Sequence, residues 1–304
     1  MAKKKKINYD LGENIHDDVH RRRVNWFPGH MNKAIREVKE KLKQVDIVLE
    51  VRDARAPLTT GNTAFDEAVG QKNRLIVFNK TNLADPKVVS LWKDWFSHQA
   101  TPFVFINCLD KKELKLITET AKKIVHAKIL ESNPDYKEKK KFRMMVIGLP
   151  NTGKSTIINR LANRNASKAA DKPGQTRTQL WVNVDEELEI LDTPGIMPPK
   201  IAKYEHGLWL AAIHAVPSTI VEEEDSACFI VKYMLETKNH FFKEKYQLDS
   251  LEMDYIEALN QIAKLRGCIR QKGEYDYDRV YKIVLIDFRS GELGPISLGL
   301  PPIS

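Results

Sequence analysis

The sequence predicts an α/β fold in which a mostly parallel, doubly wound sheet is followed by a smaller, mainly helical C-terminal domain. Three observations carry that expectation. Short apolar runs alternate with helical patterns between residues 46 and 191, the texture of strands joined by crossover helices. One run, Met144-Met145-Val146-Ile147, leads into Gly148-Leu149-Pro150-Asn151-Thr152-Gly153-Lys154-Ser155 and on into the helix-like Thr156-Ile157-Ile158-Asn159-Arg160-Leu161. That is the strand–loop–helix setting of a phosphate cradle. After Pro198-Pro199 the pattern turns helical near 205–216, 225–245 and 251–266, then closes with a β-like run from Val280 to Phe288 and a Gly/Pro-rich end.

Residues 1–24 read as a flexible basic arm. Pro28-Gly29 punctuates the chain, and His30 through Gln44 sets Met31, Ala34, Val38 and Leu42 on one face of an amphipathic helix. Asp46 through Val51 is a buried-strand candidate that ends at Asp53-Ala54-Arg55. Leu75–Phe78, Phe103–Ile106, 180–184 and 188–191 are further strand candidates, with helical patterns at 62–71, 86–99 and 111–130. Glu131 to Lys141 is polar and charged, a connector. The expected division is therefore an arm (1–24), a sheet domain (25–199) and a helical domain (200–304).

A hydrophobic fraction of 42% in 304 residues is enough to bury the core of a medium domain and a smaller companion. No apolar run approaches the roughly 18 residues that span a bilayer, so no membrane partner is expected. Acidic residues rather than an apolar stretch follow Lys3 to Lys6, which speaks against a leader. Cys108, Cys228 and Cys268 are odd in number and widely spaced, which suits a reducing cytoplasm. The net charge of +8 is clustered at Lys3 to Lys6, Arg21 to Arg23 and Lys137 to Lys141. Such runs neutralise nucleic-acid phosphates or simply solvate a surface.

The glycine-rich turn points backbone N–H groups at phosphate oxygens, and the helix behind it adds its dipole. Lys154 is placed for the β and γ phosphates and the Ser155 hydroxyl for magnesium; Thr152, Gly153 and Thr156 belong to the same cradle. Leu191-Asp192-Thr193-Pro194-Gly195 ends an apolar run, with Asp192 suited to the magnesium shell and the Gly195 N–H to a γ-phosphate. In the intervening Lys172-Pro173-Gly174-Gln175-Thr176-Arg177-Thr178, Thr176 is the best second magnesium ligand, with Thr178 behind it. Asn79-Lys80-Thr81-Asn82 follows the Leu75–Phe78 strand and looks like a guanine-reading motif. Asn107 and Cys108, just past the Phe103–Ile106 strand, complete the candidate nucleotide-binding residues.

These are the parts of a GTPase in rotated order, the base-reading motif preceding the phosphate loop. Together with Trp26-Phe27-Pro28-Gly29-His30-Met31, Asp53-Ala54-Arg55 and Pro173-Gly174-Gln175-Thr176, they resemble the RbgA/YlqF family of circularly permuted GTPases, bacterial factors for assembly of the large ribosomal subunit with organellar relatives. The similarity runs from about residue 24 to the C-terminus. It implies a circularly permuted P-loop GTPase domain, magnesium with GTP, and the large subunit or its precursor as partner. One position departs from the family pattern: Asn82 stands where a carboxylate is usual. Either GTP binding is weaker, or Asp85 or another acid stands in. Ile196, in the place where many GTPases carry a water-positioning glutamine, leaves that role to a group elsewhere, and the candidate is His30; its other reading is a helix cap or an RNA contact. Asn151 is suited to hold a potassium ion or only to shape its loop. Lys264, Arg266, Arg270 and Lys272 are candidate RNA contacts, and Trp209, Phe229, Phe241 and Phe242 read as core. The rival functions are a nucleotide-gated switch acting on a protein partner and a hydrolase of another nucleotide. The compartment is cytoplasmic, or an organellar matrix if a leader was removed.

Overall fold

The computed structural model describes residues 36–61, 66, 68–135, 141–162, 181–191, 201 and 204–302. The strand β1 (Ile47–Asp53) is buried along its whole length, as expected of a central strand covered on both faces. β2 (Asn73–Asn79) and β4 (Phe142–Gly148) flank it in parallel. β3 (Phe103–Phe105) extends the sheet beyond β2. On the other side β6 (Leu188–Leu191) runs parallel to β4, and β5 (Trp181–Asn183) closes the sheet antiparallel. The order β3-β2-β1-β4-β6-β5 winds outward in both directions from the β1–β4 pair. The crevice at the carboxyl ends of these two strands is thus the switch point where an open α/β sheet binds its ligand. Register brings Asp53 beside Asn79 and Val51 beside Gly148 there.

The helix α1 (Pro86–Ser97) begins at Asp85, whose carboxylate accepts from the N–H groups of Lys87 (2.8 Å) and Val88 (3.4 Å). An acid at the cap and a proline in the first turn are a helix start that satisfies otherwise orphaned donors. It buries Val89, Trp92 and Phe96 against Ile76 and Phe78 on one sheet face. The opposite face is covered by α2 (Lys111–Ser132) and α3 (Lys154–Ala162), which pack Leu114, Ile117, Ile157 and Leu161 onto Leu49, Val51 and Leu75.

Five helices follow: α4 (Tyr204–Ala212), α5 (Glu223–Glu236), α6 (His240–Tyr246), α7 (Tyr255–Leu265) and α8 (Tyr277–Ser290). Two sequence expectations are corrected here. The run from Val280 to Phe288 is not a strand but the body of α8. Its β-branched residues favour extended chain, yet Val280, Val284 and Phe288 recur every fourth position and are buried together. Asp276 caps the start and Gly291, at φ 87°, ends the helix, so packing overrides propensity. The pattern at 225–245 is two helices rather than one, because Lys238 turns left-handed (φ 49°) and Asn239 caps α6 by accepting from Phe242 N–H at 2.8 Å. Phe229 and Phe242 are core and Trp209 packs against it, but Phe241 keeps 40% of its surface exposed. The short α6 buries one face, and adjacent residues point about 100° apart. The helical core also takes in Ala56 and Leu149, the latter from the phosphate loop itself. Cys108, Cys228 and Cys268 are free thiols. Among the described residues, no helix is long and apolar enough to cross a membrane.

Candidate functional site

Beyond β4 the chain turns through Asn151 (φ 57°) and Gly153 (φ 99°) before α3 begins. Asn is one of the few residues that tolerate the left-handed region. The Thr152 hydroxyl donates to the Leu149 carbonyl at 3.0 Å, and the Lys154 ammonium donates to the same oxygen at 2.7 Å. Lys154 is thereby folded back over the loop and buried, while Ser155 and Thr156 are exposed on the first turn of α3. The Thr152 hydroxyl is thus engaged within the loop.

Asn79 ties this loop to two strands. Its Nδ2 donates to Thr152 O (3.0 Å), and its Oδ1 accepts from Cys108 N–H (3.0 Å), so one buried amide spans the turns after β2, β3 and β4. Each half of the amide meets its complement, which makes any other residue type a poor replacement. Asn107, next to it, is fixed from both ends: its N–H donates to Glu113 Oε2 (2.6 Å) and its Oδ1 accepts from Leu109 N–H (3.0 Å). Lys80 is left-handed (φ 66°) and donates to Asn151 O at 2.6 Å. Asn82 lies exposed in the 3-10 turn Thr81–Leu83. Asp85, three residues on, caps α1 through its Oδ1.

Beneath Lys80 lies an ion cluster whose role the sequence alone does not disclose. Asp53 is buried and takes Arg55 in two-pronged fashion (2.9 and 2.8 Å), while the Lys80 ammonium stands 3.0 Å from the same carboxylate. Burial opposes ionisation of Asp53, but the charges of Arg55 and Lys80 outweigh it and hold the carboxyl well below the usual range. Arg55 also lies over the Phe288 ring of α8, 5.2 Å from its centroid. The available signal was an Asp and an Arg at a strand end; only the pairing of Asp53 with Asn79 across β1 and β2 reveals that they support the next residue, Lys80.

A second contact reaches the loop from the helical region. The Asn151 Nδ2 donates to the His214 carbonyl at 2.7 Å, in a turn where His214 is left-handed (φ 63°). Arg289 of α8 closes the preceding end of α4 by donating to Ala211 O and Ala212 O, both at 2.9 Å. Burial first, and then the Arg289 charge, lower the His214 pKa below its ordinary value. No sequence pattern marked His214.

His30, Thr176, Thr178, Asp192, Gly195 and Ile196 lie outside the described residues. All four basic tail positions are exposed; Arg266 pairs with Asp287 (3.0 Å) and Arg270 with Asp276 and Asp278 (3.2 and 2.6 Å). The arrangement thus brings together a phosphate-type loop with a buried lysine, an amide strut and the turn after β2, at the switch point of a doubly wound sheet.

Comparison with known proteins agrees with this geometry. Residues 143–265 match the family model described as 50S ribosome-binding GTPase. The protein called Ribosome biogenesis GTPase A in Bacillus pumilus is 38% identical over 278 residues, covering 91% of this chain and 99% of its own. Mitochondrial ribosome-associated GTPase 1 of Bos taurus is 32% identical, covering 90% and 88%. The crystal structure of GNP-bound YlqF from T. maritima superposes with a TM-score of 0.63 at 25% identity, covering 88% and 98%. Fold and site define a P-loop GTPase, an enzyme that binds and hydrolyses GTP, with its motifs in circularly permuted order. The chain belongs to the ribosome biogenesis GTPase A family.

Proposed function

We propose that this GTPase is an assembly factor for the large ribosomal subunit, docking on ribosomal RNA in the GTP state and leaving after hydrolysis. The observation that carries the reading is the match, over nearly the full length of both chains, to proteins named for ribosome biogenesis. The bond between Asn151 of the phosphate loop and His214 of the helical region supports it, since the nucleotide site and a candidate docking region share a hydrogen bond. Residues 1–24, 25–199 and 200–304 would be arm, GTPase domain and RNA-binding domain. Lys264 and Lys272 are the tail cations best placed for RNA, because Arg266 and Arg270 are paired within the protein. Cytoplasm is the compartment favoured by the bacterial relatives, and an organellar matrix the alternative offered by the mitochondrial one. Co-sedimentation with large subunits and with their precursors tests the reading. Retention with a non-hydrolysable GTP analogue and release with GDP is the expected result; no retention in any nucleotide state, at low salt with potassium, would overturn it.

In this assignment Lys154 faces the β and γ phosphates, with Thr152, Gly153 and Thr156 around them and Gly195 N–H on the γ-phosphate. Asn79, Lys80, Asn82, Asn107 and Cys108 face the base. Magnesium prefers hard oxygen donors, and the exposed Ser155 hydroxyl on the first turn of α3 fits that preference; Thr176 and Asp192 would complete the protein's ligands. When bound, the ion neutralises charge on the β and γ phosphates. At Asn151, the His214 carbonyl takes the NH2 end of the amide, which leaves the oxygen end to a potassium ion or to shaping the loop.

Asn82 presents one acceptor where a carboxylate presents two and a charge, a difference of roughly 2–4 kcal/mol. Asn82→Asp is therefore expected to tighten GTP binding by about 30-fold or more, read by titration with a fluorescent nucleotide; a change within twofold would contradict this account. Because Ile196 offers no hydrogen bond to water, His30 is proposed to position the attacking water. His30→Ala is expected to keep nucleotide affinity and lose most subunit-stimulated turnover, whereas parallel loss of both would mean a structural role.

A further inference from the structure

Residues 291–300, beyond the last helix, run behind the base-side turn. Ile296 N–H donates to Leu83 O at 2.9 Å, and the Ser297 hydroxyl accepts from Asp85 N–H at 3.1 Å. Leu298 N–H donates to Arg55 O at 2.7 Å, and Gly299 O accepts from Trp92 Nε1 at 3.4 Å. Ser297 is in turn held by Tyr233 of α5, whose hydroxyl donates to its carbonyl at 2.8 Å. Ser297 and Leu298 are both buried. At the start of the segment Gly291 packs so closely on Leu83 that a Cβ there would come within 2.7 Å of it. The turn carrying Asn82 is thus pinned from two sides. In front, Thr81 N–H donates to Ile106 O (3.2 Å) and Lys80 reaches the phosphate loop; behind, the chain's own end holds the residues just past Asn82.

From this geometry we infer that the C-terminal segment sets the position of the guanine-reading turn, and that Ser297 is a positioning residue for base specificity. The inference rests on the assignment of Asn79 to Asn82 to the base. Its physical content follows from Asn82. An ionised carboxylate attracts its donors over some distance, but a neutral amide discriminates only when its single acceptor is aligned. A turn that depends on a neutral residue gains most from being clamped. Ser297 supplies a bond to Asp85 N–H that no other atom of the described segment makes, and Tyr233 transmits the register of α5 to it.

The test is competition of GDP and inosine diphosphate against a fluorescent GDP on the full chain, for wild type, Ser297→Ala and Tyr233→Phe. Inosine diphosphate keeps the phosphates, the ribose and the oxygen of the base and lacks only the exocyclic amino group. Ser297→Ala is expected to weaken GDP about fivefold or more, the effect of leaving one part-buried donor unpaired, with inosine diphosphate changed less than twofold. Tyr233→Phe should move the same ratio in the same direction by a smaller factor, with Ser297 itself intact. Parallel weakening of both nucleotides would mean the segment acts only on folding, and an unchanged ratio in both variants would mean it does not act on the base; either overturns the inference alone. A wild type with no preference for GDP over inosine diphosphate would instead overturn the base assignment, and this inference with it.

Discussion

Asp53→Asn is expected to be the most damaging polar substitution in the described structure, costing about 3–5 kcal/mol of folding stability. The amide keeps the shape of the carboxylate but removes the charge that compensates two cations. Arg55 is 1% exposed and holds an Nη1 without a hydrogen-bond partner, so it has no route to water when its counter-ion is lost. Lys80 keeps its bond to Asn151 O but not the charge under it, so nucleotide affinity should fall with stability. The pH dependence distinguishes the charge from the shape. Because the folded pKa of Asp53 is depressed, its ionised form stabilises the protein above the unfolded value of about 3.9. That contribution is lost as pH falls through this value toward the lower folded one. Urea unfolding should show the gap between wild type and Asp53→Asn constant at neutral pH and narrowing below about pH 4. A gap that is the same at pH 3 and pH 7 would assign the loss to packing.

The reach of sequence reading follows the distance over which each signal acts. The phosphate loop was legible because its glycines, lysine and flanking strand and helix are contiguous, and the five parallel strands because burial on both faces leaves short apolar runs such as Ile47–Leu49 and Met144–Ile147 in β1 and β4. Asn79 stood in a noticed motif, but its amide strut to Thr152 and Cys108 needed the order of the strands. Asp53 stood in a noticed motif with no assigned task, since its link to Lys80 exists only once β1 and β2 are in register. Val280 to Phe288 was misread because β-branched content is a local signal, whereas the helix there is chosen by a core assembled from four other helices. His214 and Ser297 carry no signal at all: one acts through its carbonyl, the other through a bond to a residue more than two hundred positions away. The sequence also favoured a boundary near residue 200, yet Leu149 packs its side chain into the helical core, so the phosphate loop belongs to both regions at once.

Gly153→Ala should abolish useful nucleotide binding, with a loss of at least about 100-fold, or roughly 2.7 kcal/mol. Two physical causes act together. At φ 99° an L-residue is strained wherever space permits, a cost of about 1–3 kcal/mol. Here space does not permit: the added Cβ would overlap the Nδ2 of Asn79. The amide cannot retreat without releasing Thr152 O on one side or Cys108 N–H on the other, so a single methyl group disturbs the phosphate cradle and the base side simultaneously. A double-mutant cycle separates the two causes. If the clash dominates, Gly153→Ala should cost much less in an Asn79→Ala background than in wild type, because the overlapping atoms are gone. If backbone strain dominates, the two costs will be equal. Binding of GDP by calorimetry reads the cycle directly, and equal costs would mean that the strut yields to the methyl group and that Asn79 is less tightly clamped than its two 3.0 Å hydrogen bonds imply.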